Sequence, residues 1–457
     1  MWKTYLSSSF KILSKHRVTA VINILGLSLS LSCIILILLF VQDEFQYDRF
    51  HQKGDRIYRV TRDFWSEGTQ SLHLATVPAP VGAYLEEEFP ELEASLRMMK
   101  TEAHFLVDNQ GFKEESGYYA EASIFELFDF QLLQGNPAKS LDEPFTLLLS
   151  QDLAQKYYPQ QQIVGKTLLF KIHDQKIPLR ITGVFEALPS HSHFHPQFLI
   201  SFPTLESNKV YRNGPHPRFW GREGLRNNWG ANSFLTYVLL PESSNPAAFA
   251  SRLDPFMDKY FSSYAISEGW WQEGEQKKAS DFSHLYLQKL GDIHLYSHLD
   301  MEAEVNGEIL NVYIFSLIAL LILIIAVINY VNLSIAQSAQ RAKEIGVRKV
   351  IGAQRENLIF QFLLESSALT LLAIFLALGL VELVLPFLND FLGKTLSLGV
   401  LMQPFWIMGG SVLWLLLSFI AGIYPAWYLS SFDPVLVLKG GMLYGYKGGF
   451  LRKALVT

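Results

Sequence analysis

Four stretches of the sequence run without a charge for long enough to cross a bilayer, at 18–42, 309–340, around 366–381 and within 395–432. A spanning helix needs about 20 predominantly apolar residues, so the pattern predicts four transmembrane α-helices. Their spacing is uneven. Residues 43–308 have the mixed polar and apolar composition of a water-soluble domain, and the last three stretches follow one another closely. The predicted fold class is a membrane protein of four transmembrane α-helices, with a large α+β extracytoplasmic domain inserted between helices 1 and 2. The expected segments are an interfacial helix at 1–17, spans at 18–42, 309–337, 361–386 and 404–430, an external domain at 43–308, cytoplasmic segments at 338–360 and 431–457, and an external loop at 387–403.

Within the external domain the patterning is local. Residues 56–60 alternate like a strand, 80–89 have helical spacing ending at Pro90, and 125–133 close on the turn signal Gly135-Asn136-Pro137. A short apolar strand at 145–149 leads into a helix at 150–158 with Ser150 as N-cap. Residues 165–170 and 177–185 read as paired strands joined by a turn at His173-Asp174-Gln175. Residues 203–233 lack periodicity and read as a long loop or small subdomain, followed by a strand at 234–240 and one helix at 246–264. At the other end of the chain, residues 2–16 place Trp2, Leu6, Phe10 and Leu13 on one face and their lysines off it, as in a helix lying at a membrane interface. The first span carries Asn23, Gly26, Ser28, Ser30 and Ser32, a small-residue density that favours packing against other helices.

Charge adds orientation. Lys3, Lys11, Lys15 and Arg17 precede the first span; Arg341, Lys343, Arg348, Lys349 and Arg355 follow the second; Lys439, Lys447, Arg452 and Lys453 follow the fourth. The opposite flanks hold few basic residues, so the positive-inside rule places both termini in the cytoplasm and 43–308 outside. The first apolar run is longer than a cleavable signal core and is not followed by a small-x-small site, which predicts an uncleaved anchor. The net charge of −5 and the absence of a basic tract argue against nucleic-acid binding. Cys33 is the only cysteine, so the external domain must be held by its own core.

Candidate chemistry is sparse. The sequence has no G-x-x-x-x-G-K-[ST], H-E-x-x-H, G-x-S-x-G or C-x-x-C pattern. Asp43-Glu44 reads as a membrane-edge flank and Glu86-Glu87-Glu88 as a solvated helix face. Glu365 and Glu382 fall near the ends of the third span, where a snorkelling or Arg-paired carboxylate is tolerated. In an extended chain His191, His193 and His195 share a face and could converge on Zn²⁺ or Cu²⁺. With no carboxylate or cysteine beside them, a solvent-exposed polar strand is the competing reading. The cytoplasmic segment between spans two and three is more regular than a simple loop. Glu344 and Arg348 form an i,i+4 pair, and Gly352 breaks the helix before the next begins.

That segment reads Lys343-Glu344-Ile345-Gly346-Val347-Arg348-Lys349-Val350-Ile351-Gly352-Ala353 and is followed by Gln361-Phe362-Leu363-Leu364-Glu365-Ser366. It resembles the signature of MacB/FtsX-type ABC transporter permeases, K-E-I-G-[IV]-R-K-x-x-G-A and then q-F-L-x-E-s. Ile22 to Leu27, Asn329 to Leu333, and Tyr424 to Trp427 with Phe432 to Pro434 resemble the family's first, second and fourth spans. Phe125, Gly135, Ser150, Val164 to Lys166 and Ile181 to Val184 resemble its MacB-like periplasmic core domain. The resemblance implies a bacterial inner-membrane, multi-pass permease subunit with no cofactor of its own. ATP would be used by a separate ABC ATPase docking on Lys343, Glu344, Ile345, Gly346, Arg348, Lys349, Gly352 and Ala353.

Its motion would be relayed to the periplasmic domain for efflux of antimicrobial or lipid-like substrates. The alternative within the family is an FtsX-like regulator that activates an external partner such as a cell-wall hydrolase. Implied partners are a second permease module, membrane lipids, and in some relatives a periplasmic adaptor and outer-membrane channel. MacB itself carries a fused ATPase ahead of its first span, whereas 17 residues stand there in this sequence. Residues 449–457 resemble an interfacial helix leading to a further span, as in eight-span relatives found notably in Bacteroidetes. The second module is therefore expected to be either another copy or a continuation of the chain.

Overall fold

The computed structural model describes residues 17–66, 68–108, 110–159, 161–172, 175–207, 221–274, 277–340, 347, 350–351 and 354–430. The interfacial helix expected at 2–16 and the tail beyond 430 lie outside the described residues. In chain order, helix α1 (Arg17–Phe45) leads to strands β1 (Ile57–Ser66), β2 (Thr69–Leu74) and β3 (Val77–Pro78), and then α2 (Ala79–Glu88). Strands β4 (Ala94–Val107), β5 (Gln110–Ala120), β6 (Leu132–Gly135) and β7 (Thr146–Ser150) precede α3 (Gln151–Tyr157). Next come β8 (Thr167–Ile172), β9 (Gln175–Phe185), β10 (Phe198–Ser201), β11 (Asn232–Leu239), α4 (Leu253–Ser267) and β12 (Ser283–Lys289). Helices α5 (Ile309–Gln340), α6 (Arg355–Leu392) and α7 (Pro404–Ser430) follow. The chain divides into a helical unit, 1–43 with 310–457, and an inserted unit, Glu44–Ile309.

Among the described residues of the helical unit, three helices have stretches long and apolar enough to cross a membrane, at Val21–Phe45, Ile309–Ser334 and Glu356–Leu392. A fourth apolar helix is α7, whose apolar described stretch is Pro404–Ile420. Without a hydrophobic drive between helices in lipid, association depends on close backbone approach and interhelical hydrogen bonds. On α1, Ser32 serves this. Ser28 and Ser30 turn their hydroxyls back onto carbonyls of their own helix, while Ser32 also reaches the Ala377 carbonyl of α6 at 3.2 Å. Thr370 of α6 meets Ser418 of α7 at 2.8 Å, and the Trp414 indole donates to the Ser367 carbonyl. Gly422 lies so close under α6 that a Cβ there would sit 2.9 Å from Leu363 Cδ2. Glu365 is buried, at 6% exposure, as are Ser366 and Thr370 near it on the same helix. Glu382 is exposed. The third long helix continues past the boundary expected at 386, through Pro386, and stops at Gly393, whose left-handed backbone (φ 64°) terminates it.

The inserted unit is built on one mixed sheet in the order β12-β1-β11-β4-β5-β10-β7-β9-β6, with β2, β3 and β8 paired alongside. The α+β expectation holds. Ser150 caps α3, its hydroxyl accepting from the Leu153 N–H at 3.3 Å. Strands β8 and β9 pair antiparallel from Thr167 opposite Arg180 to Ile172 opposite Gln175. The single helix expected at 246–264 is two: Pro246–Ala250 ends at Ser251, and α4 restarts at Leu253. Pro255 explains the break, because it has no N–H for the residue-251 carbonyl and its ring crowds that turn. The region 203–233 contains short helices at Pro203–Glu206 and Gly221–Asn227. Apolar side chains fill both faces of the sheet, one core around Phe105, Phe170 and Phe198 and another around Phe128, Phe194 and Tyr237.

Candidate functional site

The segment carrying the coupling signature is described at only three positions. Lys343, Glu344, Ile345, Gly346, Arg348, Lys349, Gly352 and Ala353 lie outside the described residues. Val347 and Val350 are helical and Ile351 forms the following turn, and all three are exposed, Ile351 to 80%. Positions 347, 350 and 351 are three and four apart and share a helix face. An exposed apolar face on a polar segment was not anticipated from its charges, although the spacing could have shown it.

The histidine run gave a different result from either sequence reading. His191, His193 and His195 lie outside any strand, and their rings part company. His191 packs edge-on against Phe50. His193 is fully enclosed: its Nδ1 lies 2.9 Å from Asp48 Oδ1 and its Nε2 2.8 Å from the Tyr237 hydroxyl. The His195 backbone N–H donates to Glu304 at 2.6 Å, and its Nδ1 lies 2.8 Å from the other oxygen of that carboxylate. Carboxylates do stand beside the run, contrary to the expectation, but they arrive from positions 48 and 304, far away in sequence. The solvent-exposed strand is equally corrected, since apolar Phe194 anchors the segment in the core and carries His193 inward. Among the described residues no group of three or more His, Cys, Asp or Glu is placed to hold a metal ion.

These contacts belong to a larger polar junction where the chain enters and leaves the inserted unit. On the incoming side, Glu44 bonds His294 at 2.9 Å and the Tyr47 ring stacks on the same imidazole. Asp43-Glu44 is thus not a plain flank. Asp48 adopts a left-handed backbone, φ 57°, which Asp tolerates better than most residues. Its N–H donates to the His191 carbonyl, while its carboxylate accepts from the Ser192 hydroxyl and the His193 N–H. Burial opposes ionisation of Asp48, but His193 outweighs it and holds the carboxyl below its usual range. Burial also pushes His51, beside Asp48, down to about 4, so its ring is neutral at pH 7.

On the outgoing side the anchor is Arg59 of β1, 0% exposed and directly opposite Tyr237 in the β1–β11 pairing. Its guanidinium donates to Glu302, Gln288 and Ser297. Burial would raise the Glu302 pKa, yet the Arg59 bonds lower it overall. His195 is driven the opposite way: burial depresses it, and the Glu304 carboxylate more than restores it. Lys100 holds the Ala303 carbonyl at 2.6 Å, and Gly307 fits against Glu44 and His294 so closely that a Cβ would lie 2.7 Å from each.

Asp48, His193 and Tyr237 form an acid–imidazole–hydroxyl series of the kind that activates nucleophiles. A general base must reach a substrate proton, however, and both Asp48 and His193 side chains are wholly enclosed. The series is a structural junction and offers no catalytic access.

The fold therefore defines a membrane protein with apolar helices and one large inserted domain. The family profile of the MacB-like periplasmic core domain matches residues 20–256, and that of the FtsX-like permease C-terminal matches 316–434. The chain belongs to this MacB/FtsX family of ABC transporter permeases. Among curated relatives, the macrolide export ATP-binding/permease protein MacB of Syntrophobacter fumaroxidans is 29% identical over 126 residues, 27% of this chain and 16% of that protein. The ABC transporter permease YknZ of Bacillus subtilis is 30% identical over 113 residues, 24% of this chain and 27% of its own. The matches thus span well under two thirds of these relatives' lengths. A crystallised domain described as from a permease protein of Porphyromonas gingivalis is 21% identical with a TM-score of 0.40, covering 55% of this chain and 94% of that one.

Proposed function

We propose that the protein is the permease subunit of a complex in which a separate ATPase docks on the cytoplasmic side, and that it relays ATP-driven motion through α1 and α5 to the inserted domain. The domain would work outside the cytoplasmic membrane, with both termini inside and 43–308 external, as the Lys/Arg distribution favours. Efflux of antimicrobial or lipid-like compounds is the task favoured, in company with a second permease module. The observation that carries this reading is the segment 343–353 in a permease of this family. Basic Lys343, Arg348 and Lys349 are interspersed in sequence with the exposed apolar Val347, Val350 and Ile351. Apolar side chains interspersed with basic ones in sequence are the composition of an energetic docking patch, the charges steering and the apolar side chains holding.

The test is co-purification of ATPase activity with tagged full-length protein from the native host. Arg348→Glu and Gly352→Trp should each lose the associated ATP hydrolysis while membrane insertion stays at parental level. If both variants retain it, the docking assignment is wrong.

A further inference from the structure

Two of the four described non-glycine residues with positive φ stand at opposite ends of the inserted domain: Asp48 (φ 57°), three residues past the end of α1, and Met301 (φ 62°), beside Glu302 and ahead of α5. Such backbone costs energy and persists where the surroundings over-determine it. Here the surroundings form one continuous series. Asp48 lies against His193 and His193 against the Tyr237 hydroxyl; Arg59 stands buried directly opposite Tyr237 in the strand pairing and bonds Glu302. The series starts in the incoming segment, crosses the 191–195 loop and strands β11 and β1, and ends in the outgoing segment. Glu44, His294 and Gly307 close the two segments on each other a second time.

Stability alone does not account for this design. Replacing buried ion pairs by apolar side chains of similar volume is often neutral or stabilising, because taking the charges out of water offsets their attraction. What such a polar series adds is geometry, since a slip would break its contacts and leave more buried polar groups unpaired. We infer that Asp48, His193, Tyr237, Arg59 and Glu302 are positioning residues that lock the incoming and outgoing segments together. The two segments, each continuous with an apolar helix, then move as one body, so displacement of the helices carries the whole domain and does not open its base. This rests on the relay reading above.

The linkage can be measured without any ATPase, which separates its failure from failure of that reading. In full-length Cys33→Ser protein, nitroxides are placed through Arg49→Cys and Val305→Cys, both exposed, Val305 to 98%. The sample is reconstituted in lipid nanodiscs and diluted with unlabelled chain, and electron–electron double resonance reads the intramolecular distance. The parent should give one narrow population. Tyr237→Phe, which removes only a hydroxyl, and Glu302→Gln should each add a second population or broaden the first. Leu179→Ala, a cavity in the other core, should lower the melting temperature at least as much and leave the distribution narrow. The inference is overturned if Tyr237→Phe and Glu302→Gln leave the distribution unchanged, or if Leu179→Ala broadens it equally.

Discussion

His51 shows how one buried side chain makes the inserted domain sensitive to acid. Enclosed beside Asp48, Phe50 and Phe128, its imidazole has a pKa of about 4 against an ordinary value of 6.5. Between those values the unfolded chain binds a proton that the folded chain does not, so stability falls as pH falls through that window. The full effect is on the order of 3 kcal/mol, from 1.36 kcal/mol per pKa unit. Asp48 and Glu302, held below their ordinary values of 3.8 and 4.5, add to the loss as pH falls through those values and below. His195 has the opposite sign: its raised pKa gives stability that is complete below 6.5 and is lost as pH rises through the raised value. The melting temperature of the domain should therefore drop between pH 6.5 and pH 4, and His51→Gln should flatten most of that slope. An unchanged slope would remove His51 as its source. None of this was legible in the sequence. The spacing of His191, His193 and His195 was visible, but their partners Asp48 and Glu304 come from opposite ends of the domain, and no local pattern marks them.

Elements were readable where one physical signal dominated. Ser150 announced its helix because a capping hydroxyl is a local device, and β8 with β9 announced themselves by adjacent apolar runs around a turn. The longest hairpin, β4 with β5, was not recognised. Its alternation is interrupted by a register shift between Thr101 and Ala103, and paired residues such as Leu96 and Met98 mix with buried Ser95. On β5 the fit is specific at Gly117, which lies beside Phe198 in the parallel pairing with β10. A Cβ there would fall 1.9 Å from the ring, and the ring has no room to retreat because Phe105 packs edge-on against it at 5.0 Å. Gly117→Ala should destabilise the domain by about 1–3 kcal/mol or more, as overpacking does. On the same strand Gly111→Ala should change little, since its Cβ would meet only Leu106 at an ordinary 3.8 Å. Denaturant unfolding of the two variants checks this, and equal midpoints would refute the packing argument.

At the scale of the molecule, composition alone revealed the apolar helices, because the bilayer requires long uncharged stretches that no soluble fold needs. The insertion of one large domain after the first helix followed from the same spacing. What composition could not reveal is how that domain gathers the two ends of its chain, since the junction is made of ordinary polar residues spread from Glu44 to Gly307. In the proposed relay, motion passes through helices α1 and α5, which are continuous with the two segments that meet at this junction. The most direct test follows an environment-sensitive fluorophore on Val305→Cys, in Cys33→Ser protein reconstituted in vesicles with the ATPase that co-purifies with it. Adding Mg-ATP and vanadate should shift the Val305 signal, and the shift should vanish when Arg348→Glu is introduced. ATP hydrolysis that proceeds with no change at Val305, or a shift that persists in Arg348→Glu, would contradict the account.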